Sequence, residues 1–290
     1  MREHPLVRGI PSFSMTQMYD NKRRRCLQGL GGLALSSFAS SLLITPATVR
    51  AQVSDLNDAI NKAGRQRMLS QRMAKAWLAI GQGVEEAKAG RILGESMAIF
   101  DRQLVELKAY APQPAIRSTY QQLEGVWAEY KLALVGAAPR REQAASLLAL
   151  DGRVLQLAHQ GTTQLEKLSG KPVGRLVNVA GRQRMLSQRS AKCYLSITWA
   201  DVDPIQQREL EVARREFVEA MAVLEAAPEA TQTIHEELAL ARQQWVFFDN
   251  ALSRIDRQAR TPRHSAEVLR SSENILQIMD RVTGLYARLT

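Results

Sequence analysis

The sequence predicts an all-α protein built from two tandem, antiparallel four-helix bundles. Apolar residues recur at steps of three and four along most of the chain, whereas the alternation typical of strands is nowhere sustained. Proline and glycine interrupt these stripes at short loops, which favours an up-down arrangement of helices. A thirteen-residue segment also occurs twice: AGRQRMLSQRMAK from Ala63 and AGRQRMLSQRSAK from Ala180 differ only at Met73 and Ser190. This repeat indicates two copies of one unit.

Residues 1–51 predict an export signal. The segment 22–28, KRRRCLQ, resembles the twin-arginine motif but departs from it at Cys26 and Gln28. A weakly apolar stretch follows, and Val49-Arg50-Ala51 ends it with small residues at the positions that a signal peptidase requires. We therefore expect cleavage near Ala51 and a periplasmic product that is not an integral membrane protein. An uncleaved membrane anchor is the alternative.

The composition excludes several classes of protein. Without the first 51 residues the chain has 32 basic and 27 acidic residues, too small an excess for a nucleic-acid-binding surface. Cys193 then stands alone, which excludes a disulfide framework, a thiol redox pair and c-type haem attachment. The histidines are scattered, and His235-Glu236 lacks the second histidine of a zinc-peptidase helix. The sequence predicts neither an enzyme nor a cofactor.

The first bundle is expected over residues 52–168. Its first helix should begin near Val53 and contain the first copy of the repeated segment. Three apolar stripes follow, separated by prolines at 112, 114 and 139; they comprise Leu93, Met97, Phe100, Leu104 and Leu107, then Ile116, Tyr120, Leu123, Trp127, Tyr130 and Leu134, then Leu147, Leu150, Val154 and Leu157.

The second bundle is expected over residues 173–290, after a linker at 169–174. Its first helix should begin near Val173, and Asp203 and Thr261 are predicted N-caps because each precedes a proline. Its stripes are Leu210, Ala213, Phe217, Met221 and Leu224, then Ile234, Leu238, Ala241, Trp245, Phe248 and Leu252, then Val268, Ile275, Met279 and Val282. The two bundles either pack together as an internal pseudo-dimer or are strung apart, each pairing with another chain.

The repeated segment places arginine on a helix face made of small and apolar residues. On a helical wheel, Arg67 and Gln71 fall in a narrow stripe with Gly64 and Ala74, whereas Arg65 and Arg72 fall on the far side. The second copy repeats the stripe with Gly181, Arg184, Gln188 and Ala191. A guanidinium on a packing face needs a negative partner, and the segment holds no carboxylate. The partner is an acid on another helix or a bound oxyanion, which the planar guanidinium fork fits.

The run from Ile60 to Arg72 resembles the opening helix of the PilJ-type sensor domain, and residues 178–192 resemble it equally. This domain is the extracytoplasmic module of type IV pili methyl-accepting chemotaxis transducers, and it is similar to the periplasmic domain of nitrate/nitrite sensor kinases. The resemblance implies a four-helix sensor bundle that pairs through its first helix and binds nitrate between one arginine from each. The implied ligand-binding residues are Arg67 and Arg184 with Gly64 and Gly181, joined on the stripe by Gln71 and Gln188; the implied supporting residues are Lys62, Arg72 and Arg189.

We therefore expect a soluble periplasmic protein that binds a small oxyanion, with nitrate and nitrite as the leading candidates. No kinase or methyl-accepting region follows the second copy, so its state is expected to pass to a separate membrane sensor kinase or chemotaxis transducer. The rival interpretation is a structural, protein-interaction module of a chemotaxis or pilus signalling system, whose arginines pair with acids and which has no small-molecule ligand.

The export interpretation predicts that Arg23→Lys together with Arg24→Lys traps the precursor in the cytoplasm, because the twin-arginine route reads that pair. Fractionation followed by immunoblotting measures the distribution. The matched control is Arg2→Lys with Arg8→Lys, which changes two arginines outside the motif. Normal export of the Arg23/Arg24 variant would exclude the twin-arginine route.

Overall fold

The structure is a computed structural model that describes residues 52–199, 204–255 and 261–289. Within these ranges it contains eight α-helices and no strand, so the all-α prediction is confirmed. The helices are α1 (Leu56–Gly81), α2 (Glu86–Tyr110), α3 (Pro114–Val135), α4 (Ala144–Ser169), α5 (Pro172–Trp199), α6 (Pro204–Glu225), α7 (Gln232–Ser253) and α8 (Pro262–Ala287). The predicted export signal with its cleavage position, and the predicted N-cap Asp203, lie outside the described residues.

The helices form two four-helix bundles joined through their first members. In the first bundle α1 packs against α2 and α4, and α3 packs against the same two helices; α5 to α8 repeat this pattern. The largest helix–helix contact joins α1 to α5, so the two bundles pack side by side in an internal pseudo-dimer. The arrangement with bundles strung apart is wrong for this chain, since residues 50–290 form one compact unit.

Helix ends follow the local chemistry of the sequence. The Asp55 side chain accepts a hydrogen bond from the backbone N–H of Asp58, so α1 begins after it, three residues later than the start predicted at Val53. Thr261 caps α8 as predicted, accepting from the N–H of His264. The predicted linker at 169–174 is too long: Gly170 ends α4 with a φ of +59°, and α5 already begins at Pro172.

Equivalent aromatic pairs fill the two bundle cores. Phe100 and Trp127 pack with ring centroids 4.2 Å apart, and Phe217 and Trp245 repeat this at 4.0 Å. Between the bundles, the rings of Trp77 and Trp199 meet edge to face at 5.8 Å, near the C-terminal ends of α1 and α5. No helix of the described ranges is sufficiently long and apolar to cross a membrane.

Gly81 provides a test of the α1–α5 packing. A Cβ atom at this position would lie 2.2 Å from the indole of Trp199, so Gly81→Ala must displace that ring. We expect a loss of about 1–3 kcal/mol in the free energy of unfolding. The control is Gly90→Ala in α2, where an added Cβ meets nothing within 4 Å; it should stabilise the protein by up to about 1 kcal/mol. If Gly81→Ala and Gly90→Ala changed the free energy of unfolding equally in urea denaturation, this packing would be contradicted.

Candidate functional site

The two copies of the repeated segment meet at their glycines. A Cβ atom on Gly64 would lie 3.8 Å from the Cα of Gly181, and the reverse distance is the same. The two helices are therefore close enough here that a Cβ atom on either glycine would contact the backbone of the other helix. The Nη2 atoms of Arg67 and Arg184 would both lie within 3.6 Å of a Cβ atom on either glycine, so both arginines converge on the glycine contact.

Arg67 is 1% exposed and is held by neutral groups. Its Nη2 donates to Asn178 Oδ1 at 2.6 Å and to the Asn178 carbonyl at 3.3 Å. Its Nη1 lies 3.3 Å from Nδ1 of His159. A guanidinium can only donate, so this nitrogen is an acceptor and the imidazole is neutral. The Arg67 Nε is buried and makes no hydrogen bond.

Arg184 is fully buried, but it has an anionic partner. Its Nη1 donates to Asp280 Oδ1 at 2.5 Å, and its Nη2 donates to the carbonyl of Asn61 at 3.1 Å. Its Nε, like that of Arg67, is buried without a hydrogen bond. The two arginines are equivalent in sequence but differ in how their charge is balanced.

The pKa values reflect this difference. Burial lowers the pKa of Arg67 to about 9, and the positive charges of Arg182 and Arg184 contribute to the lowering. Burial also lowers the pKa of Arg184, to about 10, although Asp280 opposes the effect. The pKa of His159 is lowered by burial and then by Arg67 and Arg182, in agreement with its neutral imidazole. Positive charge is therefore least compensated at Arg67.

Gln71 and Gln188 belong to a second polar layer, one turn further along the helices. Lys75 donates to Gln188 Oε1 at 2.5 Å and to Glu273 at 2.6 Å. On the opposite side, Asp151 accepts from Gln71 at 2.7 Å and from Lys192 at 2.8 Å. The two glutamines thus share this layer with buried lysines, Lys75 and Lys192, which the helical wheel did not single out although both stand in the repeated segment.

The predicted supporting residues make ion pairs outside the glycine contact. Lys62 pairs with Asp58 and Glu106, Arg72 with Glu273, and Arg189 with Glu209. None of these three cations donates to a residue that also binds Arg67 or Arg184.

Arg65, which the helical wheel placed on the far side of the helix, makes an ion pair with Asp280 at 2.8 Å. Asp280 also pairs with Arg184, so this carboxylate links Arg65 of α1 to the buried arginine of α5. Helix α8 packs beside both α1 and α5. The Asp280 carboxylate on α8 can therefore pair with Arg65 of α1 and with Arg184 of α5.

The site at the glycine contact combines two guanidinium groups, the Asn178 and Asn61 oxygens, a neutral imidazole and the Asp280 carboxylate. The guanidinium groups can only donate, so a further partner must be a hydrogen-bond acceptor. No group of three or more potential metal ligands occurs in the described ranges.

Comparison with known proteins gives one finding. The family profile described as the type IV pili methyl-accepting chemotaxis transducer N-terminal domain, PilJ, matches the chain twice, at residues 48–152 and 169–282. No curated protein matches the chain. No solved structure matches it either.

Glu273 and Asp280 make the free energy of unfolding depend on pH. Burial alone would raise their pKa values, but Lys75 and Arg72 lower that of Glu273 to about 2, and Arg184 and Arg65 lower that of Asp280 to about 2. A carboxylate whose pKa falls on folding stabilises the protein above its unfolded pKa, and this stabilisation is lost as the pH falls toward 2.

We expect Glu273, whose side chain is 12% exposed, to contribute on the order of 2–3 kcal/mol above about pH 5. Asp280 contributes less because its side chain is 44% exposed and solvent screens the pair. Urea denaturation between about pH 6 and pH 2 measures the slope. Glu273→Gln should flatten it and the exposed Glu129→Gln should not; identical slopes would contradict this assignment.

Proposed function

We propose that this chain, which belongs to the PilJ family of type IV pili methyl-accepting chemotaxis transducer N-terminal domains, binds a small oxyanion where α1 meets α5. The family makes it a transducer-type sensing and signalling domain in two copies. Two buried arginines converging on one glycine contact carry the ligand proposal. Nitrate and nitrite are the first candidates, since a planar oxyanion matches the guanidinium fork.

Three features of the site support an anion. Both guanidinium groups are almost completely removed from water, and an unpaired charge is costly in such a buried position. Each retains a buried Nε–H without an acceptor. Arg67 has no carboxylate among its hydrogen-bond partners, which are Asn178 and His159. An oxyanion would supply both the acceptors and the negative charge.

The signalling step follows from the position of the site. An anion at the contact of α1 and α5 would relieve the repulsion between two cations, and these helices form the main contact between the bundles. Binding would therefore change the relative stability of bundle arrangements, and a separate membrane sensor kinase or chemotaxis transducer in the periplasm could recognise that change.

A second function, a protein-interaction module without a small ligand, is favoured by one observation. Asp280 already neutralises Arg184, so half of the arginine pair needs no external anion. This arrangement would hold the bundles together permanently and leave recognition to the outer helices.

A thermal-shift titration separates the two functions. At about one hundred times its dissociation constant, a bound oxyanion should add roughly 2.7 kcal/mol to the free energy of unfolding. We expect this stabilisation with nitrate, nitrite, phosphate or sulfate. Arg67→Ala should remove most of the added stability, because it deletes charge-assisted hydrogen bonds to the anion. Arg184→Ala should also reduce it. The control is Arg153→Ala, an exposed arginine paired with Glu129.

Isothermal titration calorimetry on the same protein gives the stoichiometry, for which we expect one anion per chain. If no oxyanion shifts the melting temperature or gives heat of binding, the ligand proposal is wrong and the interaction module is favoured.

A further inference from the structure

The fourth helices of the two bundles differ in charge where they face the arginines. When the two helices are aligned on their buried residues, Val154 of α4 corresponds to Ile275 of α8, and Thr162 to Thr283. In this alignment His159 is equivalent to Asp280. Gly152 is equivalent to Glu273. At these two aligned positions the second bundle therefore has carboxylates and the first has none, although the adjacent Asp151 of α4 accepts from Lys192 as Glu273 accepts from Lys75.

On the α8 side, these carboxylates neutralise the cations of the repeated segment. Asp280 accepts from Arg184 and Arg65 at 2.5 and 2.8 Å. Glu273 accepts from Arg72 and Lys75 at 2.6 Å each. The chain supplies its own anions here, and they occupy the positions that an external one would need.

On the α4 side, the equivalent arginines turn away to a different helix. Arg182 pairs with Glu216 at 2.7 Å, and Arg189 pairs with Glu209 at 3.2 Å, both acids on α6. In the first bundle the corresponding positions of α2 are Ile99 and Ile92, so these acids are specific to the second copy. The α4 face is thereby left without a carboxylate at either aligned position.

Arg67 lies at the centre of this face, and neither of its hydrogen-bond partners is a carboxylate. Glu166 is linked to it through Asn178, which donates to Glu166 and accepts from Arg67. Beside it is a cavity of about 240 Å³, lined by Arg67, Gly152, Leu155, Gln156, His159, Arg182, Met185 and Arg189. Three of its lining residues are arginines and none is an acid. Gly152 and Gln156 are exposed, so the cavity is accessible from water.

We propose that the α4–α5 cavity at Arg67 is a one-sided oxyanion site, and that Asp280 and Glu273 close the equivalent position at Arg184. This inference rests on the proposed function and states where the anion lies and why only one binds. The Arg67 guanidinium would take the anion from one side, with Arg182 and Arg189 adding positive charge from α5. The cavity exceeds the roughly 30 Å³ share of a single water severalfold, so it admits phosphate and short carboxylates as well as nitrate.

The duplication offers matched pairs of variants for the test. Arg182→Gln changes the cavity, and Arg65→Gln changes the equivalent residue on the closed side. His159→Asp places a carboxylate beside Arg67, as Asp280 stands beside Arg184; Gln160→Asp adds the same charge to a neighbouring exposed position of α4. Calorimetry and thermal unfolding of the full exported protein are measured with nitrate, phosphate and acetate separately.

We expect Arg182→Gln and His159→Asp each to weaken binding of the preferred anion by at least about tenfold, because each removes net positive charge at the anion. Arg65→Gln and Gln160→Asp should stay within about twofold, since solvent screens a more distant charge. His159→Asp should also raise the melting temperature of the unliganded protein. This separates lost binding from lost folding.

Three results would overturn the one-sided site while leaving oxyanion binding intact. These are equal losses in Arg182→Gln and Arg65→Gln, unchanged affinity in His159→Asp, and two anions per chain. If nitrate, phosphate and acetate all fail to bind the unaltered protein, the proposed function and this inference fall together.

Discussion

The burial of two guanidinium groups at the contact between α1 and α5 is the constraint on which the rest of the structure depends. Removing such a group from water costs several kcal/mol unless neighbours replace its hydration. Arg67 and Arg184 are both at most 1% exposed, and Gly64 and Gly181 bring their helices close enough to hold them. The surrounding helices therefore do more than fill space, because they must also supply acceptors and negative charge to this contact.

This constraint explains why the repeated segment is nearly identical in both copies. Its glycine lies at the helix contact, its arginine occupies that contact, and some of its other polar side chains bond across helices in the same way in each copy. Gln66 and Gln183, for example, donate to the carbonyls of Phe100 and Phe217 at 3.2 and 2.8 Å. A change at any of these buried positions would leave a polar group without a partner, which is costly.

Helical periodicity and a helical wheel were enough to predict the all-α fold and the stripe that contains Arg67 and Arg184. The acids of this interface were not predictable in that way, because Asp280, which pairs with Arg184, and Asp151, which accepts from Gln71, lie on α8 and α4, far along the chain from these partners. The sequence indicates these acids only when the two copies are aligned helix by helix. The first helices repeat at an offset of 117 residues, and the fourth helices repeat at an offset of 121. Only the second offset aligns His159 with Asp280.

Joining the two bundles in one chain is what allows the two sides of the contact to differ. In a dimer of identical chains, every residue of the fourth helix occurs on both sides, so an aspartate beside one arginine stands beside the other as well. Here α8 carries the acid and α4 carries a neutral histidine. The α8 side can thus stabilise the fold with an internal ion pair while the α4 side retains positive charge. If Arg67 binds an oxyanion as proposed, duplication separates the structural use of the arginine from its use in recognition.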